Sequence, residues 1–306
     1  MTRPSSRKPF PLARWLAGAA CAALLVALGR EALYLAVEHG AFQPSRLGPL
    51  TPEDFGVPSQ QSTFDSGDRT LHASFVRAAE RDAPALLVYH GDDESLSDWA
   101  RAQALLYRAG ISSFVFDYSG YGASSGHPTV RHLEEDGRQA YQRFLAATAE
   151  APRRYVLGYS LGTGVLLGLI DTLRPAPAGV VIAAGFSSAR AAAVATGIVP
   201  PWLAPLLPNP WDNEARVHEL GLPLLLVHSR SDEVIPFAQA ERLARAATGP
   251  HRLLALDGLV HNAAIEADEA AIFWSPIAAS LRSGALAVAP PAHDARPPAG
   301  TPARHG

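Results

Sequence analysis

The chain has 306 residues, 48% hydrophobic and 18% charged, a globular composition that suits one large domain or two small ones. Its net charge of -3 gives no electrostatic basis for nucleic-acid binding. The single cysteine, Cys21, excludes an internal disulfide, and no Cys/His spacing resembles a zinc site.

In chain order, Arg3, Arg7, Lys8 and Arg14 precede the apolar run Trp15 to Gly29. At 1.5 Å per residue that run reaches roughly 22 Å, short of a ~30 Å hydrocarbon core. Continued to Val37 it is long enough to span, with Arg30 and Glu31 near the interface. Residues 1–37 therefore read as a basic region followed by a membrane anchor. The alternatives are a signal peptide cleaved near Ala27-Leu28-Gly29 and a buried helix of the folded domain. Positive residues before the apolar run put the rest of the chain outside the cytoplasm, periplasmic or extracellular; cleavage would leave it secreted. Residues 38–58, rich in Pro and Gly, read as a linker.

From residue 59 the pattern is that of a folded domain. Residues 60–76 read as two strands joined at Ser66-Gly67-Asp68. The short continuous apolar run at 83–91 reads as a strand buried on both faces, 111–122 as a strand and turn, and 153–160, 178–186, 222–230 and 251–258 as further strands. Helices are expected at 99–110, 129–149, 161–173, 237–247 and 263–282. Strands alternating with helices predict an α/β fold, a mostly parallel sheet covered on both faces, with the hairpin at one edge. The Pro/Ala-rich stretch 284–306 reads as a disordered tail, which leaves 59–283 as the domain.

The chemistry centres on Gly158-Tyr159-Ser160-Leu161-Gly162, a G-x-S-x-G between a predicted strand and helix. A nucleophile at such a turn needs a strained backbone, and side chains two before and two after it would collide, so glycine stands there. The plainer reading of Ser160 is a helix N-cap. Asp232 follows the strand at 222–230 and is the candidate acid; it could instead cap the helix near Pro236. His261 follows the next strand and completes the order Ser…Asp…His. Asp257 is the rival acid but ends the wrong strand. His228 lies within a strand and His251 precedes one. The candidate oxyanion donors are the backbone N–H groups of Leu161 and Asp92, with His90 ordering the loop after 83–91. Asp92, Asp93 and Glu94 would repel an oxyanion unless their side chains turn away. Residues 187–220 are too short for a large cap domain. Their Trp202, Leu203, Leu206, Leu207 and Trp211 could form a small apolar lid, with Trp202 and Leu206 lining a substrate pocket, or simply pack on the core.

With "YHGD" (89–92), "FDYSGYGASSG" (116–126), "GYSLGTG" (158–164), "SRSDEVIP" (229–236) and "VHN" (260–262), residues 80–283 resemble the α/β-hydrolase superfamily. The likeness is closest to its small-lid, often membrane-anchored branch of lysophospholipid lipases and protein depalmitoylases. The chain departs from that branch at Asp92, where Asn or a small residue is usual, and at Ser119, where Arg is usual. The resemblance implies a serine hydrolase for a small-molecule carboxylic ester, thioester or acyl lipid, working without a cofactor. The alternatives are an aminopeptidase or acyltransferase on the same fold, and an inactive membrane-tethered binding domain.

Overall fold

Each apolar run bounded by turn residues folds as one strand, and together they make a single eight-stranded sheet. The structure, a computed structural model, describes residues 12–46 and 48–287. The tail expected at 284–306 therefore lies outside the described residues from 288 onward. Gly284 ends the last helix in the left-handed conformation, and Leu286 is buried against the core.

The first element is α1, Leu12–Ala41. Its middle is bare: residues 16–32 are all exposed. It is the one helix among the described residues long and apolar enough to cross a membrane. Beyond that stretch, Leu33, Tyr34, Val37, Glu38 and Ala41 are half-buried, the three-to-four spacing of a helix face laid on something. The stretch expected as a linker follows the domain surface: Phe42 is buried, Arg46 bridges Gly122, and the Leu50 N–H donates to Ser97 Oγ at 2.9 Å.

The hairpin β1 (Gln60–Ser66) and β2 (Arg69–Val76) turns at Gly67, whose φ of 63° suits glycine. There follow β3 (Ala85–Tyr89), α2 (Leu96–Arg108), β4 (Ser112–Phe116), α3 (Val130–Ala147), β5 (Arg154–Tyr159), α4 (Leu161–Leu169) and β6 (Gly179–Ala183). The second half supplies α5 (Ala189–Ala195), α6 (Asn213–Glu219), β7 (Leu224–Ser229), α7 (Ala238–Ala246), β8 (His251–Leu256) and α8 (Ala270–Ser283). The sheet order is β1-β2-β4-β3-β5-β6-β7-β8, antiparallel through β1, β2 and β4 and parallel from there on.

Alternation along each strand divides the core. Leu87 and Tyr89 of β3 point to the side of Phe144 and Val165, while Leu86 and Val88 point to that of Trp99, Trp274 and Ile277. Both faces are thus covered, and that is why β3 and β6 are apolar almost without interruption. α2 starts at Leu96, three residues before the expected Trp99, because Ser95 and Asp98 form a reciprocal capping box.

Candidate active site

Ser160 joins β5 to α4 with φ 47° and ψ -114°, a region that non-glycine residues occupy at a cost of order 1–3 kcal/mol. The turn is shaped by its glycines. A Cβ on Gly158 would lie 2.7 Å from the Gly162 carbonyl oxygen, and one on Gly162 would overlap the Tyr89 carbonyl. The Ser160 N–H is spent on the Ala183 carbonyl of β6 at 3.0 Å. Its side chain makes no capping bond. Instead Ser160 Oγ lies 3.0 Å from His261 Nε2.

His261 sits in the turns between β8 and α8. This is where the helix expected from 263 gives way to turns, and α8 begins only at Ala270. The loop is held at several points. Tyr159 donates its hydroxyl proton to the His261 carbonyl, Glu233 accepts from the His261 N–H at 3.1 Å, and Glu269 accepts from Val260 N–H at 2.9 Å. Glu233, the neighbour of Asp232, thus grips the histidine backbone. On the far side of the ring Nδ1 lies 2.8 Å from Asp232 Oδ2 and 3.0 Å from Oδ1.

Asp232 is buried, at 9% exposure. Its Oδ1 also accepts the N–H groups of Val234 (2.9 Å) and Ile235 (2.8 Å), and Oδ2 lies 3.2 Å from His228 Nε2. Burial opposes its charge, but bonds from His228, His261 and Ile235 outweigh it and hold this carboxyl well below the usual carboxylate range. His228, which the sequence offers only as a strand residue, is therefore part of the arrangement; the four-residue spacing to Asp232 is its only signal. Asp257 is remote from this: it is exposed and pairs with Arg230 at 3.4 Å.

The loop after β3 brings Asp92 alongside Ser160 and Leu161 at the same cavity. Among the described residues neither the Asp92 nor the Leu161 N–H has a backbone or side-chain acceptor. The crowding of acids at 92–94 is resolved by their separate partners. The Asp92 carboxylate takes the Tyr121 hydroxyl and the Gln43 N–H. Glu94 is buried, accepts from Gly91 N–H (2.6 Å) and Trp99 Nε1 (2.8 Å), and is pushed by burial up to about 8. It is therefore mostly uncharged at neutral pH. His90 Nδ1 donates to the Gly91 carbonyl at 2.7 Å, and burial lowers its imidazole to about 4.

Ser160 and His261 open into a cavity of about 490 Å³. Its walls are mainly apolar, with Phe42, Ala192, Ile198, Leu207 and Trp211 among them. Trp202 and Leu206, expected to line the pocket, do not. They are 75% and 55% exposed, because the short turn Ala204–Leu206 points Leu207 inward and those two outward. Among the described residues no cluster of His, Cys, Asp or Glu is arranged to hold a metal ion.

Comparison with known proteins agrees with this arrangement of elements. The family model described as serine aminopeptidase, S33, matches residues 80–213. An uncharacterized protein of Mycobacterium tuberculosis is 32% identical over 191 residues, 61% of this chain and 66% of its own length, so the match spans just under two thirds of that relative. Human alpha/beta hydrolase domain-containing protein 17B is 28% identical over 202 residues, 65% of this chain and 68% of its own. The Pyrococcus furiosus esterase Pf2001 superposes with a TM-score of 0.60 at 17% identity, over 79% of this chain and 95% of that one. The chain has the α/β-hydrolase fold.

Ser119 stands where the resemblance noted in the sequence leads to an expected arginine. The charge arrives from elsewhere. Arg69, at the start of β2, is buried and donates through Nε to Ser119 Oγ at 2.8 Å, while its Nη2 reaches Glu135 (3.0 Å) and Asp136 (3.2 Å). Asp136 in turn accepts the Ser119 N–H at 2.8 Å. The fold thus places a guanidinium behind the turn after β4 from a neighbouring strand.

Proposed function

We propose that the protein is a serine hydrolase of carboxylic esters or thioesters of acylated, lipid-like substrates. The observation that carries the reading is the continuous chain of contacts Asp232–His261–Ser160 at the floor of a largely apolar cavity. With Asp232 ionised, His261 keeps its proton on Nδ1, and Nε2 is free to accept. Nε2 takes the Ser160 hydroxyl proton as Oγ bonds to the substrate carbonyl carbon. The carbonyl oxygen becomes an oxyanion, facing the N–H groups of Leu161 and Asp92. Its collapse breaks the ester bond, and His261 returns the proton to the departing alcohol or thiol. A water, deprotonated by the same nitrogen, then releases the acyl group from Ser160 as a carboxylic acid.

An aminopeptidase is the second reading, favoured by the description of the matching family model. It needs a carboxylate free to bind a substrate amine. Among the described carboxylates that line the cavity, Asp92 is engaged with Tyr121 and Gln43, Glu38 accepts from the Val130 N–H, and Glu94 is buried and largely protonated at neutral pH, which leaves exposed Asp93. The ester reading therefore stands first. α1 is its tether, with the domain outside the cytoplasm because basic residues precede the apolar run. The test is fluorophosphonate labelling of the wild type and Ser160→Ala, with turnover of acyl esters against aminoacyl anilides. Labelling that survives Ser160→Ala, or anilides cleaved faster than esters, overturns this proposal.

A further inference from the structure

The helix that reads as a tether does more than end near the active site. Its last two turns and the residue after it, Val37, Ala41 and Phe42, line the same cavity as Ser160 and His261. Facing them is α5, which offers Ala189, Ala192 and Ala193, small side chains that leave the space open. The lining is mainly apolar, although Tyr34 and Glu38 of α1 and Arg190 of α5 also belong to it. A mainly apolar slot that holds a reacting serine suits a linear hydrocarbon chain attached to a reacting carbonyl.

α1 is also fixed in place. Glu38 Oε1 accepts the Val130 N–H at 2.8 Å at the start of α3. Leu33 and Val37 pack against Val199, Ala204 and Leu207. Phe42 meets Trp211 edge to face, ring centroids 6.3 Å apart. The Gly122 N–H donates to the Ser45 carbonyl at 2.9 Å, and the Gln43 N–H donates to the Asp92 carboxylate at 3.0 Å. This last contact joins the helix end to the loop that carries one of the proposed oxyanion donors. A tether that only held the domain at a membrane would need none of these ties.

We propose that the C-terminal turns of α1 form the acyl-chain wall of the cavity, so that the membrane-directed helix also selects the substrate by chain length. This rests on the serine-hydrolase reading above. Small residues at 41 and 192 set the width of the slot, and an aromatic at either would narrow it from opposite sides.

The test uses the full-length wild-type protein and a long-chain fluorophosphonate bearing a diazirine near the end of its alkyl chain. After labelling at Ser160 and irradiation, peptide mapping should find crosslinks within residues 33–42. Crosslinks confined to 189–211 or 234–262 would overturn the proposal, because the chain would then lie away from α1. Absence of any label at Ser160 would remove the hydrolase reading, and this proposal with it. A kinetic arm follows the ratio of kcat/KM for dodecanoyl over acetyl nitrophenyl esters. Ala41→Phe and Ala192→Phe should each lower that ratio roughly tenfold or more. A fall with Ala192→Phe alone, in an Ala41→Phe protein that melts as the wild type does, would likewise overturn it.

Discussion

His228 Nε2 lies 3.2 Å from Asp232 Oδ2 and 2.8 Å from the Ile235 carbonyl, so one imidazole supports both the acid of the arrangement and the loop that carries it. Among the described residues it makes no hydrogen bond to Ser160 or His261. His228→Phe keeps much of the buried volume and removes the donor. A hydrogen bond to a charged group is worth about 1.5–3 kcal/mol, so kcat should fall roughly tenfold to a hundredfold with KM nearly unchanged. Steady-state kinetics on a short ester will decide; a raised KM at constant kcat would place His228 in substrate binding instead.

Asp232→Asn should lower kcat by about 10⁴-fold, the cost of the equivalent change in a serine protease, because the amide favours the wrong imidazole tautomer. Asp257→Asn should leave kcat unchanged, since that carboxylate is exposed and, among the described residues, pairs with Arg230. Kinetics of both variants, with thermal melting as the folding control, distinguish the two acids. An active, folded Asp232→Asn enzyme would move the acid elsewhere.

Glu94 makes stability fall as pH rises. Its carboxyl is raised from 4.5 to about 8 by burial. Between those values the unfolded chain has lost a proton that the folded protein keeps, so its contribution is full below about 4.5 and is lost as pH climbs through about 8. Glu94→Gln removes that titration and can still accept from Gly91 and Trp99. The Tm of the variant relative to the wild type should therefore rise from pH 5 to pH 8, each 1 kcal/mol being worth about 2–4 °C in a domain this size. A difference constant with pH would contradict the assignment. Asp232 works in the opposite direction: its lowered pKa contributes stability above the ordinary carboxylate range that is lost in acid.

Trp202→Ala combined with Leu206→Ala should leave the dodecanoyl-to-acetyl turnover ratio unchanged, because both side chains face away from the cavity. A selective loss on the longer ester would return them to the pocket.

Much of this was legible in the sequence. The strands were, since burial on both faces forces nearly uninterrupted apolar runs, and so was the order of Ser160, Asp232 and His261. What escaped depends on partners distant in the chain. Trp202 and Leu206 looked like pocket residues by composition, but a turn at 204–206 decides which side chains point inward. Arg69 lies 50 residues from Ser119, and no local pattern joins them. The alanine-rich stretch after His261 reads as helix by propensity, yet ties from Tyr159, Glu233 and Glu269 hold its first part in turns.

Gly162 packs directly on the Tyr89 and His90 carbonyls, so no side chain stands between the backbone carrying the Leu161 N–H and the backbone leading to the Asp92 N–H. The gap between the two proposed donors is thus gauged by the thickness of two peptide chains, not by any rotamer. Repacking the cavity walls can alter which molecule fits without recalibrating that gap. Drift in substrate and constancy of chemistry are separable here because they are written in different atoms, one in side chains and the other in main chain.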